Sequence, residues 1–444
     1  MSAESYTELF RKNRYLVEKE SCGVMNALRE NALCCLDRYG LPDTSHEEYL
    51  HTNVCDWFEP DWGMNLGGVP INVNLNGGFR CSVPNMSSSV YYMANDRFAE
   101  VGMSLAENGV LAGSLKDICI KYPELISKYY GKLADMQKCG VASVNTLFAQ
   151  DGFVIYVPDD VVVEKPVQLI SLLQSPVDMM VTRRVLVILG NNSGLKLLLC
   201  DHTSDSRKYL TTQVTEIYAG AGSSLKFYEM EETSLSNSRV AELYIRQERD
   251  SNVSVTGITL NNGNTRNSSF VTLAGGGASL RLDGIAIVDG KQHIDNATFV
   301  DHQVENCQSS ELFKYVLDDE SVGAFSGKVL VREGAQHTVS QQTNRNICVK
   351  RTARMFTQPQ LEIYADDVKC SHGATVGQID EKALFYMRQR GIPEDEARTL
   401  LMMAFVEDVL DNIGLEPLRQ RLRHLVERRF KSGSSLCSGC KICK

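Results

Sequence analysis

The sequence predicts a mainly β fold, a β-solenoid flanked by helical N-terminal and C-terminal regions. Between residues 153 and 376, short runs rich in Val, Ile, Leu, Tyr and Phe alternate with Gly, Asn and Asp, as is typical of short strands separated by turns. The starts of several runs recur at a nearly constant step. Apolar residues at helical spacing lie almost entirely outside this range.

The N-terminal region, residues 1–150, is expected to be helical and irregular. Apolar residues recur every three or four positions in residues 25–33. The following Leu41-Pro-Asp-Thr44 ends that segment, because the residue before a proline avoids the α conformation. Residues 115–140 have helical character again.

A repeat supports the solenoid over residues 151–376. Turns followed by an apolar-x-apolar start occur at Leu195, Leu225, Val253 and Leu280, at a nearly constant step of about 28 residues. A further start near Leu361 lies close to three more such steps beyond Leu280. Such a repeat indicates a solenoid, because each turn buries its apolar face only by stacking on the next. An ordinary sandwich or barrel, with turns every ~8–12 residues, stays open at this point.

The C-terminal region, residues 377–431, is expected to form helices. Asp380 suits the first helix as an N-cap, and Gly391 can end that helix in a left-handed conformation. One broad face of the next helix is apolar, and it comprises Ala397, Leu400, Leu401, Ala404, Phe405, Val409 and Leu410. A third helix is expected from Glu416 to Lys431.

Composition narrows the classes of partner. The 444 residues carry a net charge of −9, so the protein repels phosphate backbones and anionic lipid surfaces, and neither nucleic acid nor membrane is an expected partner. No apolar run approaches the ~18–20 residues that span a bilayer. The start of the chain, from Met1 to Glu20, lacks the apolar core of a signal peptide. We therefore expect a cytoplasmic protein.

Cysteines are patterned only in the tail, residues 432–444. The chain has 14 cysteines, and at this density reduced thiols are expected. The tail ends in Cys437-x-x-Cys440-x-x-Cys443, which resembles part of a ferredoxin-type cluster motif but lacks a fourth cysteine and a following proline. Binding of a metal by these three thiols and a flexible tail without metal both stay open.

Nucleotide and hydrolase motifs are missing. Gly323-Ala-Phe-Ser-Gly-Lys328 is one residue too short for a phosphate loop and has Val329 where a Ser or Thr would hold magnesium, so we interpret it as a turn of the solenoid. The chain has no Gly-x-Ser-x-Gly and no His-Glu-x-x-His motif. No enzyme site is therefore predicted.

Cys370 and His372 form the most informative pair. On a strand, positions i and i+2 face the same side with Cα atoms roughly 6–7 Å apart. A thiolate with an imidazole suits a soft or borderline metal, but a tetrahedral site needs further ligands. The alternative is a buried cysteine that packs as a small apolar residue beside a structural histidine.

Several motifs are similar to those of one known family. They are Asp289-Gly-Lys-Gln-His-Ile-Asp-Asn296, Asp301-His302, Ser310-Glu-Leu-Phe-Lys314, Phe325-Ser-Gly-Lys328, Gln342-Thr-Asn-Arg-Asn346, Pro359-Gln-Leu-Glu-Ile-Tyr-Ala-Asp-Asp-Val-Lys-Cys-Ser-His-Gly-Ala-Thr375 and Leu384-Phe-Tyr386. Together they resemble the SufB/SufD family of the SUF iron–sulfur cluster assembly machinery, and within it the SufD branch.

The resemblance implies a right-handed parallel β-helix that serves as a scaffold and not as an enzyme. It implies pairing with a SufB-like homologous subunit through the ends of the solenoid. The C-terminal helices would bind a SufC-like ATPase, which hydrolyses ATP, and the face with Leu401, Phe405 and Val409 is the expected contact. His372, with Cys370 beside it, would lie at the subunit interface, where a nascent iron–sulfur cluster is transiently shared with the partner.

Two other functions stay open on the sequence alone. The chain could act alone as a metal-binding or redox protein through its tail cysteines, or as a β-helix enzyme on a saccharide. The sequence leaves undecided whether the isolated chain forms a homodimer, which iron donor it meets and whether a flavin takes part.

Overall fold

The computed structural model describes residues 2–75, 83, 85–99, 104–105, 107–137 and 140–432. The helices before the solenoid are α1 (Ala3–Lys19), α2 (Gly23–Asn26), α3 (Arg29–Tyr39), α4 (Val54–Phe58), α5 (Leu115–Lys121), α6 (Pro123–Tyr129) and α7 (Gly140–Phe148), with 3₁₀ turns at Glu47–Tyr49 and Glu107–Gly109. The helices after it are α8 (Glu381–Gln389), α9 (Glu394–Asp411) and α10 (Glu416–Ser432). Asp380 caps α8 as expected, since its side chain accepts from the backbone N–H groups of Lys382 and Ala383.

The strands of the described ranges form two sheets. They are β1 (Ser89–Ala94), β2 (Arg97–Phe98), β3 (Ser104–Leu105), β4 (Leu111–Ser114), β5 (Phe153–Val157), β6 (Val167–Leu173), β7 (Met179–Leu189), β8 (Gly194–Thr203), β9 (Tyr209–Ala219), β10 (Ser224–Glu232), β11 (Ser238–Gln247), β12 (Asn252–Asn261), β13 (Asn264–Leu273), β14 (Ser279–Val288), β15 (His293–His302), β16 (Gln308–Leu317), β17 (Val322–Val331), β18 (Val339–Cys348), β19 (Arg354–Ile363) and β20 (Lys369–Gly377). Sheet 1 has the order β2-β1-β6-β8-β10-β12-β14-β16-β18-β20, and sheet 2 the order β19-β17-β15-β13-β11-β9-β7-β5-β4-β3.

From β5 onward, consecutive strands alternate between the two sheets, and every strand pairs in parallel with the strand one turn away. This arrangement is a parallel β-solenoid. The predicted fold class is therefore confirmed, with helical regions on both sides of the solenoid in sequence.

The predicted repeat coincides with the register of sheet 1. Leu195, Leu225, Val253 and Leu280 are successive register partners in neighbouring strands, and all four are buried. The continuation at Leu361 is wrong, because that residue lies on β19 in sheet 2. The row of register partners continues instead through polar residues, namely Ser309, Ser340 and Cys370.

Many turns between β-strands contain a residue in the left-handed backbone conformation. From β5 to β18, each turn from a strand of sheet 2 to the next strand of sheet 1 has one residue with a positive φ, and these residues are Asp160, Asn192, Gly222, Asp250, Gly277, Asn306 and His337. Asn, Asp and Gly tolerate this conformation best. The Asn, Asp and Gly residues between the apolar runs therefore occupy this left-handed position in six of these turns, and His337 occupies it in the seventh.

Each sheet is covered on its outer face by a different set of helices. Sheet 2 presents residues such as Leu210 and Val240 to α1, α3 and α7, while sheet 1 presents Leu198 and Ile285 to α9 and α10. The inner faces of both sheets pack against each other as a separate apolar core. None of the helices in the described ranges combines the length and the apolar character that crossing a bilayer requires.

The structure differs from the sequence expectations at three further places. Strands β1 to β4 lie within the N-terminal region and extend both sheets. Cys22 and Cys119 form a buried disulfide, where reduced thiols were expected, because packing of α2 against α5 brings their Cα atoms to 6.5 Å. The segment from Gly323 to Lys328 is the interior of β17 and not a turn, since it pairs in parallel with both β15 and β19.

Two glycines provide a test of how closely successive turns stack. A Cβ added at Gly275 would lie 2.0 Å from the backbone nitrogen of Arg249 in the preceding turn, whereas a Cβ at Gly257 would meet nothing within 4 Å. We predict that Gly275→Ala lowers the free energy of unfolding by about 1–3 kcal/mol or more. Gly257→Ala is the matched control and should change it by less than about 1 kcal/mol. Urea unfolding followed by circular dichroism measures both, and equal stabilities would contradict the close stacking at Gly275.

Candidate functional site

The two ends of the solenoid are built differently. At the N-terminal end, β2 runs antiparallel to β1, and β3 and β4 run antiparallel to their neighbours, so the parallel stack stops there. At the C-terminal end, which we call the open end, β19 and β20 are the last strands of their sheets. Within the described residues no strand pairs with their outer edges.

Cys370 and His372 lie on β20, the edge strand of sheet 1 at the open end. Their register partners on β18 are Ser340 and Gln342. Cys370 is partly buried and packs against the inner apolar core, while His372 is exposed. Both residues therefore belong to the rows of side chains that line the inside of the solenoid, and they lie where those rows reach the surface.

The two inner rows that end at Cys370 and His372 change from apolar to polar toward the open end. The row that ends at Cys370 passes from Leu280 to Ser309 and Ser340. The row that ends at His372 passes from Leu282 to Glu311 and Gln342. These two rows are therefore polar in the last turns, beyond Leu280 and Leu282, while other inner residues there, such as Phe313 and Val329, stay apolar.

Hydrogen bonds connect the polar side chains of the first row. The hydroxyl groups of Ser309 and Ser340 lie 2.8 Å apart, and Nε2 of His302 lies 2.9 Å from Oγ of Ser309. Burial lowers the pKa of His302 to about 4, so its imidazole is neutral at physiological pH. Burial also raises the pKa of the Cys370 thiol, so this cysteine keeps its proton at neutral pH unless a cation approaches.

Glu311 is the buried carboxyl group of the second row. Its Oε2 accepts from Oγ1 of Thr298 at 2.6 Å, and its Oε1 accepts from Nε2 of Gln342 at 3.0 Å. Burial raises the pKa of Glu311 to about 7, because neither partner carries a compensating positive charge. Gly327 leaves the space for the Gln342 amide, since a Cβ there would lie 2.3 Å from Nε2.

Cys370 and His372 together form only part of a metal site. An imidazole and a thiol can both ligate iron, but two ligands do not close a coordination sphere. Among the described residues there is no group of three or more His, Cys, Asp or Glu side chains placed to hold a metal ion. Any further ligands must therefore come from outside the described part of the chain or from another molecule.

The other predicted site residues lie on α9 or in the tail. Val409 is fully buried against sheet 1, and Leu401 and Phe405 are partly buried in the same apolar cluster. The exposed apolar side chains of α8 and α9 are Phe385, Tyr386 and Leu400. The tail cysteines Cys437, Cys440 and Cys443 lie outside the described residues.

Sequence reasoning did not identify Glu311 and Gln342 as part of this site. The available signal was the spacing, because Glu311, Gln342 and His372 follow one another at nearly equal steps along the chain. That spacing is close to the step between Leu195, Leu225, Val253 and Leu280. The repeat was recognised from apolar residues, however, and the polar residues of a row do not give this signal.

Comparisons with known proteins agree with this architecture. The family model described as "SUF system FeS cluster assembly, SufBD core domain" matches residues 172–405, and the model "SufBD protein N-terminal region" matches residues 1–169. A protein named "Iron-sulfur cluster assembly SufBD family protein" from Synechocystis is 27% identical over 429 residues, which is 94% of each chain.

Two relatives carry the name "Iron-sulfur cluster assembly protein SufD". The one from Escherichia coli is 36% identical over 169 residues, covering 38% of this chain and 40% of its own. The one from Bacillus subtilis is 24% identical over 356 residues, covering 79% of this chain and 81% of its own. Of these two proteins, the one from Bacillus subtilis is therefore matched over most of its length.

The raised pKa of Glu311 leads to a prediction about stability. In the unfolded chain its carboxyl ionises near the ordinary value of 4.5, but in the folded chain only near 7. The folded state therefore loses stability as the pH rises from about 4.5 to about 7. Glu311→Gln keeps the shape without a proton to lose, so its stability relative to the wild type should increase over this window, by up to roughly 3 kcal/mol.

Urea unfolding at pH 5 and pH 8 measures this difference. The exposed Glu333, changed to Gln, is the matched control and should show little dependence on pH. If Glu311→Gln differs from the wild type equally at both pH values, the carboxyl group is not buried as described.

Proposed function

The chain belongs to the SufBD family of SUF iron–sulfur cluster assembly proteins, and on this basis we propose that it is a SufD-like scaffold subunit. It pairs with a SufB-like homologous subunit at the open end and binds a SufC-like ATPase through its C-terminal helices. The nascent iron–sulfur cluster is the cargo of this assembly, held transiently between the two homologous subunits in the cytoplasm.

The observation that carries the proposal is the open end itself. The backbone N–H and C=O groups on the outer edges of β19 and β20 have no strand to pair with in the described residues. Such edges favour pairing with another chain. A homologous solenoid fits best, because its own last turn repeats the same two-strand geometry and can continue both sheets at once.

His372 and Cys370 lie where such a partner would meet the inner rows of side chains. A neutral imidazole can ligate iron through one nitrogen, and a thiol can do so once it loses its proton. The ligands that this chain lacks would come from the corresponding row of the partner. This supports a cluster site that exists only in the assembled pair.

The C-terminal helices have both a fixed face and a free face. Lys314 holds α9 against sheet 1, since its Nζ donates to the carbonyl oxygen of Phe405 at 2.6 Å and lies 2.7 Å from the Asp408 carboxylate. The buried Val409 adds to this fixed face. The ATPase therefore binds the exposed side, where Phe385 and Leu400 provide apolar contact area, and ATP is hydrolysed on that partner.

For the cluster site, we predict that His372→Ala assembles with its partners but delivers few or no clusters. Loss of one side chain should cost little association energy compared with the rest of a large interface, whereas alanine can neither ligate iron nor relay a proton. Cys370→Ser should reduce delivery less. Co-purification measures assembly, and activation of an iron–sulfur enzyme in cells that depend on this pathway measures delivery.

His337 provides the control for this experiment. It is another exposed histidine, in the turn before β18, and its positive φ makes asparagine the suitable replacement. His337→Asn should deliver clusters like the wild type. Normal delivery by His372→Ala, or a complex that fails to form, would contradict the role assigned to His372.

For the ATPase surface, we predict that the double variant Phe385→Asp with Leu400→Asp no longer retains the ATPase. Both side chains are exposed, 63% and 45%, so the fold should tolerate the change. Burying such a side chain at an interface is worth roughly 1.5–3 kcal/mol, and a carboxylate there must also lose its hydration. Pull-down of the ATPase by the tagged chain measures retention.

Ile120→Asp is the matched control, because Ile120 is equally exposed but lies on α5 in the N-terminal region. It should bind the ATPase normally. Full retention by the double variant would place the ATPase on another surface.

A further inference from the structure

We propose that Gln342 is a positioning residue for His372: its side-chain carbonyl oxygen accepts the N–H of one imidazole nitrogen and leaves the other nitrogen free to ligate iron. This inference rests on the proposed function, because it assigns the neighbour that prepares His372 for its role. It concerns the unassembled chain as well, so part of it can be tested without any cluster.

The first support is an acceptor without a donor. Gln342 is 1% exposed, and its Nε2 donates to Glu311. Within the described part of the chain, its Oε1 is buried and has no hydrogen-bond partner. A buried carbonyl oxygen without a donor is destabilising, so a donor within reach of the side chain is expected.

The second support is the direction of the amide. Gln342 stands in its row between Glu311 on β16 and His372 on β20. The nitrogen and oxygen of an amide point away from each other across Cδ. Because Nε2 is bonded to Glu311 in the preceding turn, Oε1 is left for a donor elsewhere, and the register partner of Gln342 in the following turn is His372, about 4.8 Å away along the stack.

The third support is the fixed position of the amide. Glu311 is held by Thr298 on the opposite sheet, and Gly327 provides the space in which the amide lies. In the described residues the side chain of His372 makes no hydrogen bond, so its ring has a donor to offer. Metal-binding histidines commonly donate their second N–H to such an oxygen, which fixes the tautomer and the orientation of the ring.

The variants follow from these contacts. Gln342→Met keeps the length of the side chain but removes the acceptor. The exchange of both residues, Glu311→Gln with Gln342→Glu, restores a bonded amide–carboxylate pair and again presents an oxygen to His372. Gln341→Met is the matched control, because Gln341 is the neighbouring residue on β18 and faces solvent on the other side of the sheet.

The first measurement is made on the full chain alone, labelled with ¹⁵N-histidine. The signals of His372 are identified by their loss in His372→Ala. We expect a single tautomer in the wild type, in Gln341→Met and in the exchanged pair, and a mixture like that of a free histidine peptide in Gln342→Met. Unchanged ¹⁵N shifts of His372 in Gln342→Met would overturn the proposal.

The second measurement is cluster delivery by the assembled complex. We expect Gln342→Met to deliver roughly ten- to one-hundredfold less than the wild type, and the exchanged pair to recover most of the loss. An exchanged pair no better than Gln342→Met would overturn the proposal. If His372→Ala delivers normally while the shifts still respond to Gln342→Met, the proposed function fails but the hydrogen bond stands. Should Gln342→Met not fold, Gln342→Asn, which is too short to reach, replaces it.

Discussion

Parallel stacking of one turn on the next is the interaction on which the rest of the structure depends. A strand inside either sheet satisfies its backbone on both sides, and its inner residues pack between those of the turns before and after it. The last turn has no such neighbour. At the N-terminal end, antiparallel strands stop the stack. At the open end nothing in the described residues does, so the outer edges of β19 and β20 are left without a neighbouring strand.

Buried polar side chains inside the solenoid have a free-energy cost that the apolar residues of its inner rows do not have. Leu280 and Leu282 are stabilised by burial, whereas Ser309 and Glu311 one turn later must find hydrogen bonds inside the protein. Glu311 shows the cost directly, because burial raises its pKa to about 7. The cost is not confined to the open end, since burial also raises the pKa of Glu231 on β10 to about 7.

The sequence predicted most of the architecture but only the rim of the site. The repeat of about 28 residues could be recognised from Leu195 to Leu280 because the first apolar residues of these strands are leucine and valine. The same row then passes through Ser309, Ser340 and Cys370, which are not large apolar residues. The predicted continuation at Leu361 therefore falls in the wrong sheet. The disulfide between Cys22 and Cys119 was not predictable either, since two cysteines so far apart in the chain are brought together only by helix packing.

The two proposed functional surfaces of the chain are connected through one strand. On β16, Glu311 faces the inside of the solenoid toward Gln342, while Lys314 faces outward and holds Asp408 on α9. The neighbouring strand β14 holds the end of α9 in the same way, because Oδ2 of Asp283 accepts from Asn412 at 3.0 Å. Since packed strands are stiff, α9 cannot shift on sheet 1 without breaking these contacts. The helix that carries the exposed apolar face and the row that leads to His372 therefore share one mechanical support.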